Sequence, residues 1–181
     1  SGNSFLLFYL KQLSKGVSIA SHTHHPAHVI KAINEKKKII IVIRNPIDAI
    51  ISMYLFFNKK IKFNLLIDEY IKFYKSIQKY KKKFIIIEFK KIISNPKKVI
   101  NIINSKNNSI KFKYKHPNKK EIFKKLKKHS ITKFKIFDKY QINSQKKKYE
   151  IEKKNTKKIF LKVIRKEKIN TLINLYKSFI K

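Results

Sequence analysis

Apolar and polar residues alternate in blocks along this chain. Residues 4–14, SFLLFYLKQLS, are apolar on nearly every side, which predicts a helix buried all round. Gly16 follows as a stop. VSIAS at 17–21 is a short strand candidate, HTHHPAH at 22–28 a histidine-rich loop, and 27–35 a helix. KIIIVI at 38–43 is a continuous β-branched run, the pattern of a parallel strand covered on both faces. Asn45 can then cap a helix, with Pro46 at its first position and Asp48 in its first turn. Residues 63–80 have helical spacing, KFIIIEF at 83–89 is a second buried strand, and SNPKKVINIIN at 94–104 repeats the Asn–Pro start. A further helix is predicted over 118–128 and irregular chain over 129–150. Ile159, Phe160, Val163, Ile164, Ile169, Leu172, Ile173 and Leu175 predict one long amphipathic helix over 156–180. Strand, helix, strand, helix is the order of an α/β fold: a parallel sheet flanked by helices, joined by right-handed crossovers.

Composition narrows the picture. A length of 181 residues with 43% hydrophobic content fits one domain with a real core, spanning 1–181. No apolar run approaches the ~18 residues of a membrane span. The absence of cysteine excludes disulfides and thiolate metal sites and fits a reducing compartment, so a cytoplasmic location is expected. A formal charge of +36 invites a nucleic-acid reading. Yet of 46 basic residues only Arg44 and Arg165 are arginine, and readers of base sequence favour the arginine fork. The lysines are spread along the whole chain, and Ile, Lys, Asn, Phe and Tyr dominate, as an AT-rich coding sequence would supply. The charge therefore reads as a solvated lysine surface with weak, salt-sensitive affinity for polyanions, and no specific nucleic-acid partner is expected. The same bias makes exceptions informative. Average usage of about 7% glycine would give roughly a dozen, and of the two present Gly2 sits in the opening stretch, SGNSFLLFYL. Arg44 begins the other stretch that matters.

In an open parallel sheet, ligands bind beyond the carboxyl ends of the strands. The opening turn offers backbone N–H groups at a helix start beside the Ser4 hydroxyl, which suits an anion; a plain helix cap is the structural alternative. Arg44 leaves a buried strand, with Ser52 two turns into the next helix and Asp48 one turn before it on the same face. A guanidinium fork and a hydroxyl near a helix start form a phosphate clamp; a structural pairing of Arg44 with Asp48 is the alternative. His22, His24 and His25, with His28 beyond, leave three readings open: a metal site with no acid nearer than Glu35, surface imidazoles, or a general base suited to proton removal near pH 7.

Together these stretches resemble the sulfotransferases that use 3′-phosphoadenosine 5′-phosphosulfate. Ser1–Gly2–Asn3–Ser4–Phe5–Leu6 resembles the latter part of the family's Pro–Lys/Arg–Ser–Gly–Thr/Asn–Thr/Ser–Trp–Leu loop. His22–Thr23–His24–His25–Pro26 resembles its Lys–Thr–His–x–Pro stretch, which places His24 at the catalytic histidine. Arg44–Asn45–Pro46–Ile47–Asp48–Ala49–Ile50–Ile51–Ser52–Met53–Tyr54 matches the 3′-phosphate motif Arg–Asn/Asp–Pro–x–Asp–x–x–x–Ser–x–Tyr at every defined position. Phe89 through Pro96 resembles the element Tyr–Glu–Asp–Leu–x–x–Asn–Pro, with Phe89 at the nucleotide-contacting tyrosine and lysines in place of its acids.

The likeness covers roughly 1–105 and implies a three-layer, P-loop-like fold with a nucleotide-binding core at 1–105 and a helical part at 106–181. It implies sulfuryl transfer to a hydroxyl or amine of a small-molecule, lipid or carbohydrate acceptor, without a metal. Ser1, Gly2, Asn3, Ser4 and Phe5 would hold the phosphosulfate and adenine, Arg44 and Ser52 the 3′-phosphate, and His24 would act as base. The family's first strand and the basic residue before Ser1 are expected upstream, in a longer chain. The late Arg–Lys–Gly segment has only a faint echo at Lys162–Lys166. Three rivals are a degenerate relative without activity, a lysine-rich polyanion-binding protein, and an ATP-using P-loop enzyme, which would want Gly–Lys–Ser/Thr where Gly2–Asn3–Ser4 stands.

Overall fold

The computed structural model describes residues 2–13, 18–19, 25–107, 111–125 and 146–180, those at 2, 3, 146 and 147 by backbone alone. The chain is mixed α/β and mostly helical. Its contacts gather into two compact units, Ser1–Ile43 with Tyr80–Ile136, and Arg44–Lys79 with Phe137–Lys181.

The first unit holds a small parallel sheet flanked by helices. Strand β1 (Ile39–Ile43) pairs with β2 (Phe84–Glu88), Ile39 opposite Phe84 and Ile43 opposite Glu88. Both are the β-branched runs that the pattern picks out, since such side chains pack well on a pleated surface. Of the strand expected at 17–21, Ser18 and Ile19 are irregular and the rest lies outside the described residues. Helix α1 (Gly2–Leu13) buries Phe5, Leu6, Tyr9 and Leu10 against Ile85 and Ile87 of β2 and against Val99, Ile100 and Ile103. Each such side chain contributes about 1.5–3 kcal/mol of transfer free energy, and this burial holds the helix in place. Helix α2 (Pro26–Asn34) packs on β1.

The sequence pattern continued the second strand through Phe89. Instead the chain passes from Glu88 straight into a short helix, α5 (Phe89–Ser94), whose first turn is closed by an ion pair between Glu88 and Lys91. Only Ile92 of it is fully buried, and six residues are too few to set up a helical period. Helix α6 (Pro96–Ser105) follows, then a helical segment α7 over 119–125.

The second unit, as described, is helical: α3 (Pro46–Phe56), α4 (Phe63–Gln78), α8 (Lys146–Val163) and α9 (Lys166–Ile180). They enclose Ile50, Ile51, Leu55, Leu66, Ile67, Phe160, Ile164 and Leu172. Two expectations change here. Residues 146–150 are helical, not irregular, and the single helix over 156–180 is broken at Ile164 and Arg165. The break has a geometric reason. In one straight helix, Phe160 and Leu172 would point about 120° apart, yet both belong to the same buried cluster. Turning the chain brings both apolar stripes onto it.

Glycine is nearly missing, so helices must stop without it. After α2 the Lys37 N–H donates to Ala32 O (2.9 Å) and the Lys36 N–H to Ile33 O (3.0 Å), with Lys36 at φ 53°. After α3 the Lys59 N–H donates to Tyr54 O (2.8 Å) and the Asn58 N–H to Leu55 O (3.0 Å), with Asn58 at φ 50°. Both are Schellman stops, whose left-handed residue is most often glycine.

Candidate functional site

The Arg44–Ser52 stretch lies wholly in the second unit. Arg44, half-buried, follows the last residue of β1 in the chain and precedes α3 by one residue. The Asn45 side chain closes the helix start: its Oδ1 accepts from the N–H groups of Ile47 (3.1 Å) and Asp48 (3.3 Å). Two orphan donors are thereby satisfied, and the fixed φ of Pro46 pre-sets the first turn. The Arg44 carbonyl accepts a hydrogen bond from the Tyr70 hydroxyl of α4 at 3.2 Å. Burial, reinforced by Tyr74 and Tyr176, raises the Tyr70 phenol far above its ordinary range. Tyr70 therefore stays protonated and tethers the backbone from which the Arg44 side chain leaves.

Helix α8 meets α3 along two rungs. Ser52 Oγ and Tyr149 Oη lie 3.3 Å apart. One turn back, Asp48 Oδ1 lies 3.6 Å from Lys153 Nζ, both side chains largely covered. Asp48 therefore has a lysine partner, and Tyr149 and Lys153 place a second hydroxyl and a cation beside the motif. Sequence reasoning missed both, because Tyr149 falls in the stretch read as irregular and nothing local marks Lys153. Tyr54, the last residue of the motif, stacks on Phe63 with ring centroids 4.1 Å apart and serves packing.

The first unit holds the other expected residues. Helix α1 starts at Gly2, so the opening turn expected over 1–4 is already helical from its second residue. Ser4 is buried, at 7% exposure. The Phe5 ring is at 3% exposure and packs at 6.5 Å from Tyr9 and 6.1 Å from Phe123, inside the unit's core. Phe89, half-buried, opens α5. Ser1, His22 and His24 lie outside the described residues. His25 is exposed just before α2, its ring edge-on to His28 at 5.5 Å. Among the described residues no group of three or more His, Asp or Glu stands ready to hold a metal.

No protein-family model, no curated protein and no solved structure matches this chain.

Proposed function

We propose that this chain is a sulfotransferase that takes its sulfuryl group from 3′-phosphoadenosine 5′-phosphosulfate. The observation that carries the reading is the setting of the Arg44–Ser52 motif. Its arginine emerges at the capped start of α3, its asparagine makes the cap, and its serine hydroxyl lies beside a tyrosine hydroxyl. These donors fit a phosphate dianion: a guanidinium fork, hydroxyls, and the positive end of a helix. The two-stranded parallel sheet with flanking helices is compatible with a larger P-loop-like, three-layer architecture, which belongs to the same proposal.

In this reading Arg44 and Ser52 hold the 3′-phosphate, which separates this donor from ATP. The motif likeness assigns the 5′-phosphosulfate to the opening stretch with Ser4, and a nucleotide contact to Phe89. His24 takes the proton from the acceptor hydroxyl or amine as that group attacks sulfur. The S–O bond to the 5′-phosphate breaks, and fixed donors offset the charge that develops on the leaving oxygen. The acceptor is a small molecule, lipid or carbohydrate.

Calorimetry with 3′-phosphoadenosine 5′-phosphate tests the clamp. Arg44→Ala should weaken binding by about 1.5–3 kcal/mol, the range for a charge-assisted bond, and adenosine 5′-phosphate should bind both forms alike. Equal affinity of parent and variant for the bisphosphate sinks the clamp. His24→Ala should cut turnover about 100-fold or more and spare donor binding. The same loss in His25→Ala instead would move the base by one residue.

A further inference from the structure

Helix α8 presents two parallel rows to solvent. Ile151, Asn155, Ile159 and Val163 follow one another at four-residue spacing and so lie along one side of the helix. Ile151 is 63% exposed, Ile159 55% and Val163 64%. Beside them run Lys154, Lys158 and Lys162 at the same spacing, all exposed. Among the described residues ten large apolar side chains are left exposed, and four of them, these three and Leu161, belong to this helix. About 100° round from the row, α8 buries Thr156 and Phe160, and it is this side that holds the helix to its unit. Single exposed isoleucines need no explanation. A row about 18 Å long, flanked by a row of cations, does.

We propose that this side of α8 is a docking face for an anionic lipid bilayer. The isoleucine row enters the boundary between headgroups and acyl chains, and the lysine row meets the lipid phosphates. Two observations favour lipid over other polyanions. The exposed apolar groups are aliphatic, whereas single-stranded nucleic acid is gripped by stacked aromatic rings. The cations are lysines, which suit diffuse phosphate charge better than base edges. The formal charge of +36 adds long-range attraction to any anionic membrane. No described helix is long and apolar enough to cross a bilayer, so the contact is one of lying on it. The inference is independent of sulfuryl transfer.

Co-sedimentation of the full chain with large vesicles tests it, comparing pure phosphatidylcholine with vesicles containing about 30% phosphatidylserine. Binding is expected only to the second. The triple variant Ile151→Ser, Ile159→Ser, Val163→Ser keeps every charge and should lower vesicle binding about tenfold or more, with heparin binding and helix content unchanged. Leucine at the same three positions should restore vesicle binding. The variant Lys154→Gln, Lys158→Gln, Lys162→Gln should weaken both ligands and flatten the salt dependence. Two results overturn the proposal: a parent chain that ignores anionic vesicles, or a serine variant that binds them as the parent does. Self-association lost in the serine variant, with vesicle binding intact, would assign the face to a second copy instead.

Discussion

Helices α3 and α6 begin with the same two residues, Asn45–Pro46 and Asn95–Pro96, and differ in what surrounds those starts. In both, the asparagine side chain accepts from the backbone: Asn45 from Ile47 and Asp48, Asn95 from Lys98 at 3.0 Å. Both bury an apolar face, Ile50 and Ile51 in α3, Val99 and Ile100 in α6, all at 2% exposure or less. There the likeness ends. Helix α3 follows Arg44, has an acid in its first turn, and sets Ser52 beside a tyrosine. Helix α6 follows Ser94, carries Lys97 and Lys98 in its first turn against the positive end of its own dipole, and starts exposed. An Asn–Pro start is thus a way of beginning a helix and nothing more. The proposed clamp rests on what surrounds it.

Experiments can press on that comparison. The largest effect should come from packing, where the two helices are alike: Ile51→Ala and Ile100→Ala should each destabilise by about 2–5 kcal/mol in denaturant unfolding. A cost well below this range in one helix alone would show that the two are not equivalently anchored. The caps come next. Asn45→Ala and Asn95→Ala should each cost about 1 kcal/mol of stability, and only Asn45→Ala should weaken binding of the 3′-phosphate. Equal loss of nucleotide binding in both variants would erase the distinction between the helices. Smallest is the tether. Tyr70→Phe should cost about 0.5–1.5 kcal/mol and loosen Arg44. Because folding raises the Tyr70 phenol above its ordinary 10.0, the folded state keeps a proton that the unfolded chain releases. Its contribution is complete below pH 10 and is lost as pH rises above that. Thermal unfolding of Tyr70→Phe should therefore fall less steeply from pH 10 upward than that of the parent.

What the sequence disclosed followed from how local each signal is. The two strands are built on β-branched runs, IIIVI in β1 and the three isoleucines of β2, and the two Asn–Pro starts are complete within four residues. Arg44 through Ser52 is one continuous stretch, so that part of the candidate site was legible before any fold was known. Tyr149 was not, because it meets Ser52 across 97 residues and no local pattern announces such a contact. The turn at Ile164 and Arg165 was hidden for a related reason: the apolar spacing is helical on both sides, and only a shared core reveals the change of phase. Phe5 shows the limit from the other direction. Its place in the motif likeness says nucleotide, while its 3% exposure puts the ring in the core of its unit.

The two Schellman stops carry a consequence for how this protein withstands heat. A lysine at φ 53° and an asparagine at φ 50° occupy places where a Cβ crowds the backbone, more severely for the lysine than for the asparagine, at about 1–2 kcal/mol for an ordinary residue. Glycine would sit in either position without that crowding. Lys36→Gly should therefore raise the melting temperature, and a single substitution at the end of α2 would show how much of the fold's margin that one backbone angle holds.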